Sequence, residues 1–177
     1  MKLFGTSKNK VYKRRLRWTN QFVKDNIDII EKNYELHPEK NKWECNVHSI
    51  HDYETQSVYR INYRFLREKY ENIVKDVVRK YGITNYHLSD IWYNYYKKGQ
   101  FQEPHTHLGN GGLTAVHYLI FDPRCHSVTK FTDSNIKSPR IGCGDIIFFR
   151  DDAEHYVPAN ETTKPRLTIA FTVTNAH

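Results

Sequence analysis

Two kinds of hydrophobic periodicity divide the chain. In the first half, apolar residues recur at spacings of three and four: Phe22, Val23, Ile27 and Ile30, then Leu66, Tyr70, Ile73, Val77 and Tyr81. That spacing lines one face of an α-helix, and it predicts helices over about 20–33 and 58–81. Thr19 is the candidate N-cap of the first, and Gly82 suits the left-handed residue that closes the second. Arg67, Glu71, Lys75 and Arg79 take the opposite face of the second helix. From Tyr86 the period changes to two, with Ile91, Tyr93 and Tyr95 alternating with Trp92, Asn94 and Tyr96. Short β segments follow, separated by turn chemistry at Lys98-Gly99, Gly109 to Gly112, Asp122-Pro123, Asp133 to Asn135 and Gly142 to Gly144. Helices first and strands after predict a mainly β fold, two helices packed on a β-sandwich. The double-sheet member of that class with a ligand-holding interior is the jelly roll, or double-stranded β-helix.

Between the two helices, His37 to Tyr53 is polar, with Trp43, Val47 and Ile50 as anchors, and reads as an irregular connection lying over the core. His48 and His51 sit three apart there, a spacing that fits a ligand pair on one helical turn. Without a carboxylate partner they read as surface polar groups.

The length of 177 residues fits one domain, residues 19–177, behind a basic N-terminal arm, residues 1–18. The net charge of +7 is densest from Lys8 to Arg17, which reads either as a solvated arm or as a polyanion contact. No run of apolar residues is long enough for a membrane span, and MKLFGTSKNK has no apolar signal core. Three widely spaced cysteines (Cys45, Cys125, Cys143) fit reduced thiols, with Cys45 and Cys143 as small buried hydrophobes. The expected setting is cytoplasmic, the host cytoplasm for a phage-encoded chain.

Candidate chemistry gathers around Ile91 to Phe121. His105 and His107 are two apart, so on a strand both imidazoles aim at one point. His155 lies fifty positions on, and Arg166 follows eleven residues later, opening the alternating strand RLTIAFTVT. Three imidazoles on one face leave open positions on a metal, and imidazole suits iron, zinc, copper and nickel. Pro104 stiffens the approach, and the run Asp145-Ile-Ile-Phe-Phe reads as a buried strand returning His155 to the same sheet. Glu103, also two residues from His105, is an alternative ligand. Asp145 reads as a turn residue, Glu154 faces opposite to His155, and His117 points outward in a structural role.

The segments WYNYYKKGQFQEPHTH, LTAVHYL and GDIIFFRDDAEHYVP followed by RLTIAF, within Trp43 to Thr174, resemble the iron(II)- and 2-oxoglutarate-dependent oxygenases. The likeness is to small bacterial and phage-borne members related to the prolyl hydroxylases. It implies that His105 and His155 are iron ligands and that His107 stands where the usual carboxylate does, a His-x-His variant. It implies that Arg166 pairs with the far carboxylate of 2-oxoglutarate, and that Tyr118, Thr114 and Tyr96 or Asn94 line the co-substrate pocket. The implied cofactors are Fe(II) and 2-oxoglutarate, with O2 as oxidant. The implied reaction releases succinate and carbon dioxide and hydroxylates a further substrate. Loops 97–104 and 122–140 would border the mouth, where Lys97, Lys98, Arg124, Lys130, Lys137 and Arg140 point to an anionic or polar substrate.

Two other readings compete. Gly99 and His105-Thr-His107 fit the first motif of a cupin-like metal enzyme that does not use 2-oxoglutarate. That motif's glutamate is missing, and His155 stands too far from Gly144 for the second cupin motif. In a basic nucleic-acid-binding module the histidines would be incidental, and affinity would fall steeply with salt.

Overall fold

The computed structural model describes residues 9–38, 45–54, 58–107 and 111–176. Met1 to Lys8 of the basic segment, the anchor Trp43 and Gly109 of the glycine-rich turn lie outside the described residues. The elements run β1 (Tyr12–Arg15), α1 (Thr19–Leu36), β2 (His48–His51), α2 (Tyr63–Lys80), β3 (Tyr86–Tyr96), β4 (Gln102–His105) and β5 (Leu113–Ile120). They continue with β6 (Lys130–Phe131), β7 (Asp145–Arg150), β8 (His155–Val157) and β9 (Arg166–Asn175). A six-stranded sheet has the order β1-β7-β5-β9-β3-β2, and a three-stranded sheet has the order β4-β8-β6. Every described pairing is antiparallel, and no described strand belongs to both sheets, so this double-stranded β-helix is not a closed barrel.

Strict alternation on β3, β5 and β9 gives the large sheet two differently used faces. Ile91, Tyr93 and Tyr95 join Leu113, Ala115, Leu119, Leu167, Ile169, Phe171 and Val173 in the main core, together with residues of α1 and α2. Trp92, Asn94, Tyr96, Thr114, Val116, Thr168 and Ala170 point the other way, into a cavity shared with the small sheet. A fully buried aliphatic or Phe side chain contributes about 1.5–3 kcal/mol, so the helix-covered face carries much of the folding free energy.

α1 runs one turn beyond its predicted end, because that turn is exposed (Leu36 is 54% accessible) and has no apolar pattern to announce it. Thr19 is not its cap. Trp18 occupies that position, and the Thr19 hydroxyl donates instead to Leu16 O at 2.8 Å. α2 begins at Tyr63 rather than 58 because the Asn62 side chain caps it, accepting from Phe65 N at 3.0 Å. Gly82 closes it at φ 72°, as the sequence predicts.

The basic segment enters the fold. Tyr12 to Arg15 pair with Phe148 to Asp145 as an edge strand, and Lys13 and Arg15 lie against the buried carboxylate of Asp145. The connection expected to be irregular contains β2, paired with β3 through His48↔Tyr95 and His51↔Trp92. Cys45, Cys125 and Cys143 are free thiols; Cys45 is buried, whereas Cys125 and Cys143 are half-buried. Among the described residues, no helix is long and apolar enough to cross a membrane.

Candidate metal centre

β4 and β8 pair antiparallel with His105 directly opposite His155. In that register the two side chains share a face, and their ring centroids lie 4.3 Å apart. His107, two residues past His105, completes a triangle at 5.0 Å from His105 and 5.3 Å from His155. Asp151 holds it there: its carbonyl accepts from His107 N at 2.9 Å, and its carboxylate accepts from Gly112 N at 2.9 Å. One ligand nitrogen from each histidine lies within 4.8 Å of the other two. Metal–nitrogen bonds of about 2.1 Å put such nitrogens about 3 Å apart, so small ring rotations would close the set on one ion.

The tautomers follow from the partners. His105 Nδ1 lies 2.8 Å from Glu103 O, and His155 Nδ1 lies 2.9 Å from Ala153 O. A carbonyl only accepts, so both Nδ1 atoms carry the hydrogen and Nε2 is the nitrogen left to ligate. Burial, with His105 and then His51 nearby, pushes His107 down to about 3. Burial, reinforced by His105 and His107, holds His155 well below the usual imidazole range. Both rings are therefore neutral, as metal ligands must be.

The cavity beside the triad is lined by both sheets and is narrow, about 10 Å³. Arg166 is the one Lys or Arg among its lining residues. Its guanidinium carbon lies 4.6 Å from the Tyr96 ring centroid and 5.7 Å from that of Tyr118, and the residue is 2% exposed. Nε and Nη2 of Arg166 have no hydrogen-bond partner among the described residues. A buried cation without an anion is unfavourable, so this one is shaped to receive an anion.

The remaining candidates divide. Asn94 and Tyr96 line the cavity, where Asn94 Oδ1 accepts from Ser49 at 2.6 Å and the Tyr96 hydroxyl donates to Gln102 Oε1 at 3.2 Å. Thr114 also lines it, but pairs with Thr172, six positions along β9 from Arg166. The Tyr118 hydroxyl is already engaged, donating to Thr129 Oγ1 at 2.9 Å and accepting from Thr129 N at 3.1 Å, so it supports Thr129 and does not itself face the cavity. Glu103 is not in the metal-binding group; its backbone carbonyl orients His105 instead. None of Lys97, Lys98, Arg124, Lys130, Lys137 and Arg140 lines the cavity. Lys97 lies over Tyr34, and Arg124 pairs with Asp122 at 2.8 Å.

His48 and His51 are not a pair, because strand geometry sends them to opposite faces. His48 meets the Tyr93 hydroxyl on the helix side, and His51 stacks on Trp92 beside the cavity, with centroids 5.1 Å apart and planes at 14°. His117 points away from the cavity but is fully buried on the helix side, bonded to Tyr70 and Thr19. Thr129, Gln102 and Asp151 carry no signal in the sequence: Gln102 reaches the site by pairing with Val157, Thr129 by its bonds to Tyr118, and Asp151 by its bonds to His107 and Gly112.

No family model and no curated protein matches the sequence. Solved structures do match. A prolyl-4-hydroxylase from Pseudomonas putida superposes with a TM-score of 0.64 at 11% identity, over 97% of this chain and 95% of that one. HygX from Streptomyces hygroscopicus, solved with nickel and 2-oxoglutarate bound, gives 0.65 at 13% identity, over 97% and 86%. SnoK, a non-heme α-ketoglutarate-dependent carbocyclase of nogalamycin biosynthesis, gives 0.67 at 13% identity, over 96% and 81%. What the chain shares with these proteins is the double-stranded β-helix fold.

Proposed function

We propose that this protein is an iron(II)- and 2-oxoglutarate-dependent oxygenase that hydroxylates a further substrate. The observation that carries the reading is a buried guanidinium with two unpartnered nitrogens in the same cavity as three converging imidazoles. A metal chelated by an oxoacid whose far carboxylate needs a cation would use both features at once. Structural neighbours with 2-oxoglutarate bound, such as HygX, support the same assignment.

In this reading His105, His107 and His155 would hold the ion through neutral nitrogens, the first and third with Nδ1–H fixed by backbone carbonyls. Three neutral ligands leave the ion's two charges uncompensated, which favours a dianionic co-substrate. Arg166 would take the remote carboxylate with paired N–H donors, a planar match that Lys could not reproduce. The rings of Tyr96 and Tyr118 hold that guanidinium in place. Val116, Val157 and Ala170 keep the wall apolar, which excludes water and strengthens the charge interactions. A five-carbon diacid is larger than the present gaps, so its entry requires lining rotamers to open. Bound iron(II) would supply the oxygen chemistry, coupled to decarboxylation of the oxoacid to succinate and carbon dioxide.

Anaerobic titration of the iron(II)-loaded protein with 2-oxoglutarate, followed by charge-transfer absorbance, tests this. The expected result is a saturable band, weakened 100-fold or more in Arg166→Ala and absent in His155→Ala. No band in the wild type, as for a cupin-like enzyme, or a band unchanged in both variants, would overturn the proposal.

A further inference from the structure

The net charge of +7 comes from one short segment. Residues 1–17 hold seven of the 27 Lys and Arg residues and none of the 20 Asp and Glu, so the other 20 cations are matched one for one by acids. Five of the seven, Lys10, Lys13, Arg14, Arg15 and Arg17, lie among the described residues, and all five are exposed.

The fold concentrates this charge. β1 is the outer strand of the large sheet, with β7 on one side only. Its register sets Lys13 and Arg15 opposite Ile147 and Asp145, and Arg14 opposite Ile146 on the other face, so cations leave both faces of the edge. Two more join them. Lys80 lies 4.8 Å over the Tyr12 ring, and the Arg140 carbonyl accepts from Lys13 Nζ at 3.0 Å. Against these cations stand two carboxylates at ion-pair distance among the described residues, Asp76 at 3.1 Å from Arg14 and Asp145 at 3.5 Å from Lys13. Asp145 is buried and also accepts from Gly142 N, so its charge faces inward. Charge on an edge strand deters pairing with a foreign strand. Either sign meets that need, which therefore does not account for a set of one sign.

We infer that this edge is a docking surface for the phosphate backbone of double-stranded DNA, bound without regard to sequence. A one-sign patch gains from a polyanion through release of its condensed counterions. An anionic membrane fits less well, because stable anchoring pairs a basic patch with inserted apolar groups. The exposed large hydrophobics, Leu36, Tyr53, Tyr59 and Phe101, all lie outside this segment. Single strands need aromatic faces on which bases stack, and the Tyr12 ring is already engaged by Tyr81 at 5.2 Å and by Lys80. From Lys13 to Arg17 the side chains include no hydroxyl or amide to read the 2′-hydroxyl that marks RNA. In sheet order β1 stands three strands from β9, which carries Arg166, about 14 Å away at the usual strand spacing. The surface is therefore separate from the metal centre, and the inference does not rest on the oxygenase reading.

Fluorescence anisotropy of a short labelled DNA duplex, titrated with the full-length protein at several salt concentrations, tests this. The expected Kd is on the order of 10 µM near physiological salt, with log K falling against log salt at a slope of about −4, as for four or five phosphate contacts. Lys10→Gln combined with Arg17→Gln should weaken binding about ten-fold and flatten the slope by about two, one for each contact removed. Neither side chain forms an ion pair among the described residues, so the urea midpoint of this variant should not move. Lys98→Gln combined with Lys130→Gln removes the same charge elsewhere and should leave affinity and slope unchanged. Equal losses in the two double variants or a slope near zero would overturn the inference. So would an RNA duplex bound more tightly than the DNA, or sedimentation with mixed phosphatidylserine and phosphatidylcholine vesicles in the absence of DNA binding.

Discussion

His117 and His155 are both buried and both held neutral, yet they lie in regions of opposite construction. His117, on the helix-covered face, has a protein partner on each nitrogen: the Tyr70 hydroxyl at 2.9 Å from Nδ1 and Thr19 Oγ1 at 2.8 Å from Nε2. The Thr19 hydrogen is committed to Leu16 O, so His117 Nε2–H must donate to Thr19 and Nδ1 must accept from Tyr70. The chain from Tyr70 to Leu16 O is closed and complete. His155 has one nitrogen tied to its own strand and the other turned toward two more imidazoles. Arg166, Trp92 and Thr114, around the same cavity, are likewise left with unmet polar groups. The His117 chain satisfies its polar groups internally, whereas the cavity side of the large sheet holds several in reserve for a ligand.

The sharpest way to break this comparison is to remove a histidine from each side. His117→Ala strands the buried Tyr70 hydroxyl and opens a hole in the core, so stability should fall by about 3–5 kcal/mol. Iron(II) and 2-oxoglutarate binding by the folded fraction should be kept. His155→Ala should do the reverse, abolishing the charge-transfer band at a stability cost of at most about 2 kcal/mol, because no donor loses its only partner. Urea denaturation beside the anaerobic titration reads both quantities. Equal destabilisation by the two variants would refute the asymmetry.

A smaller effect tests the reserve directly. Arg166→Met keeps the side chain's length and removes a buried charge that lacks an anion among the described residues. Without diacid, the variant should be more stable than the wild type by about 1–2 kcal/mol, because the relief from desolvation exceeds the lost contact with Tyr96 and Tyr118. It should also lose 2-oxoglutarate binding. A loss of stability instead would mean that packing between the two tyrosine rings outweighs the buried charge.

The sequence made some of this contrast legible. Alternation on Ile91 to Tyr96 and on Thr114 to Tyr118 assigns residues to faces, because a strand's period of two is local. His105, His107, His155 and Arg166 stand out because few residue types can hold a metal or a dicarboxylate. Long-range pairing was harder to read. His48-Ser-Ile-His carries no strand pattern of its own and becomes β2 only by pairing with β3. Thr129 lies in a stretch without periodicity and is fixed at the cavity by its bonds to Tyr118. Asn26 and Asn33 look like surface residues of α1, but both are buried, where they bond the backbone of Asn62 and Tyr59. The charges of Lys13 to Arg15 suggest a free arm, and only the buried Asp145 beside them explains an edge strand.

A pH dependence separates the two kinds of buried histidine. Burial pushes His117 from 6.5 down to about 3. As pH falls below 6.5 the unfolded chain binds a proton at this position, while the folded protein does not until about pH 3. The contribution of His117 is therefore fully present above 6.5 and lost progressively through that window, at about 1.4 kcal/mol per pH unit. His107 and His155 add slopes of the same sign, so the wild-type curve alone cannot isolate His117. His117→Gln, which keeps a donor and an acceptor between Tyr70 and Thr19 but does not titrate, isolates it by difference. Its stability between pH 4 and 6 should fall less steeply than that of the wild type by about 1.4 kcal/mol per unit, with the curves parallel above pH 7. Identical slopes would mean that His117 takes up its proton without unfolding, and that the closed chain from Tyr70 to Leu16 can open to accommodate a charge.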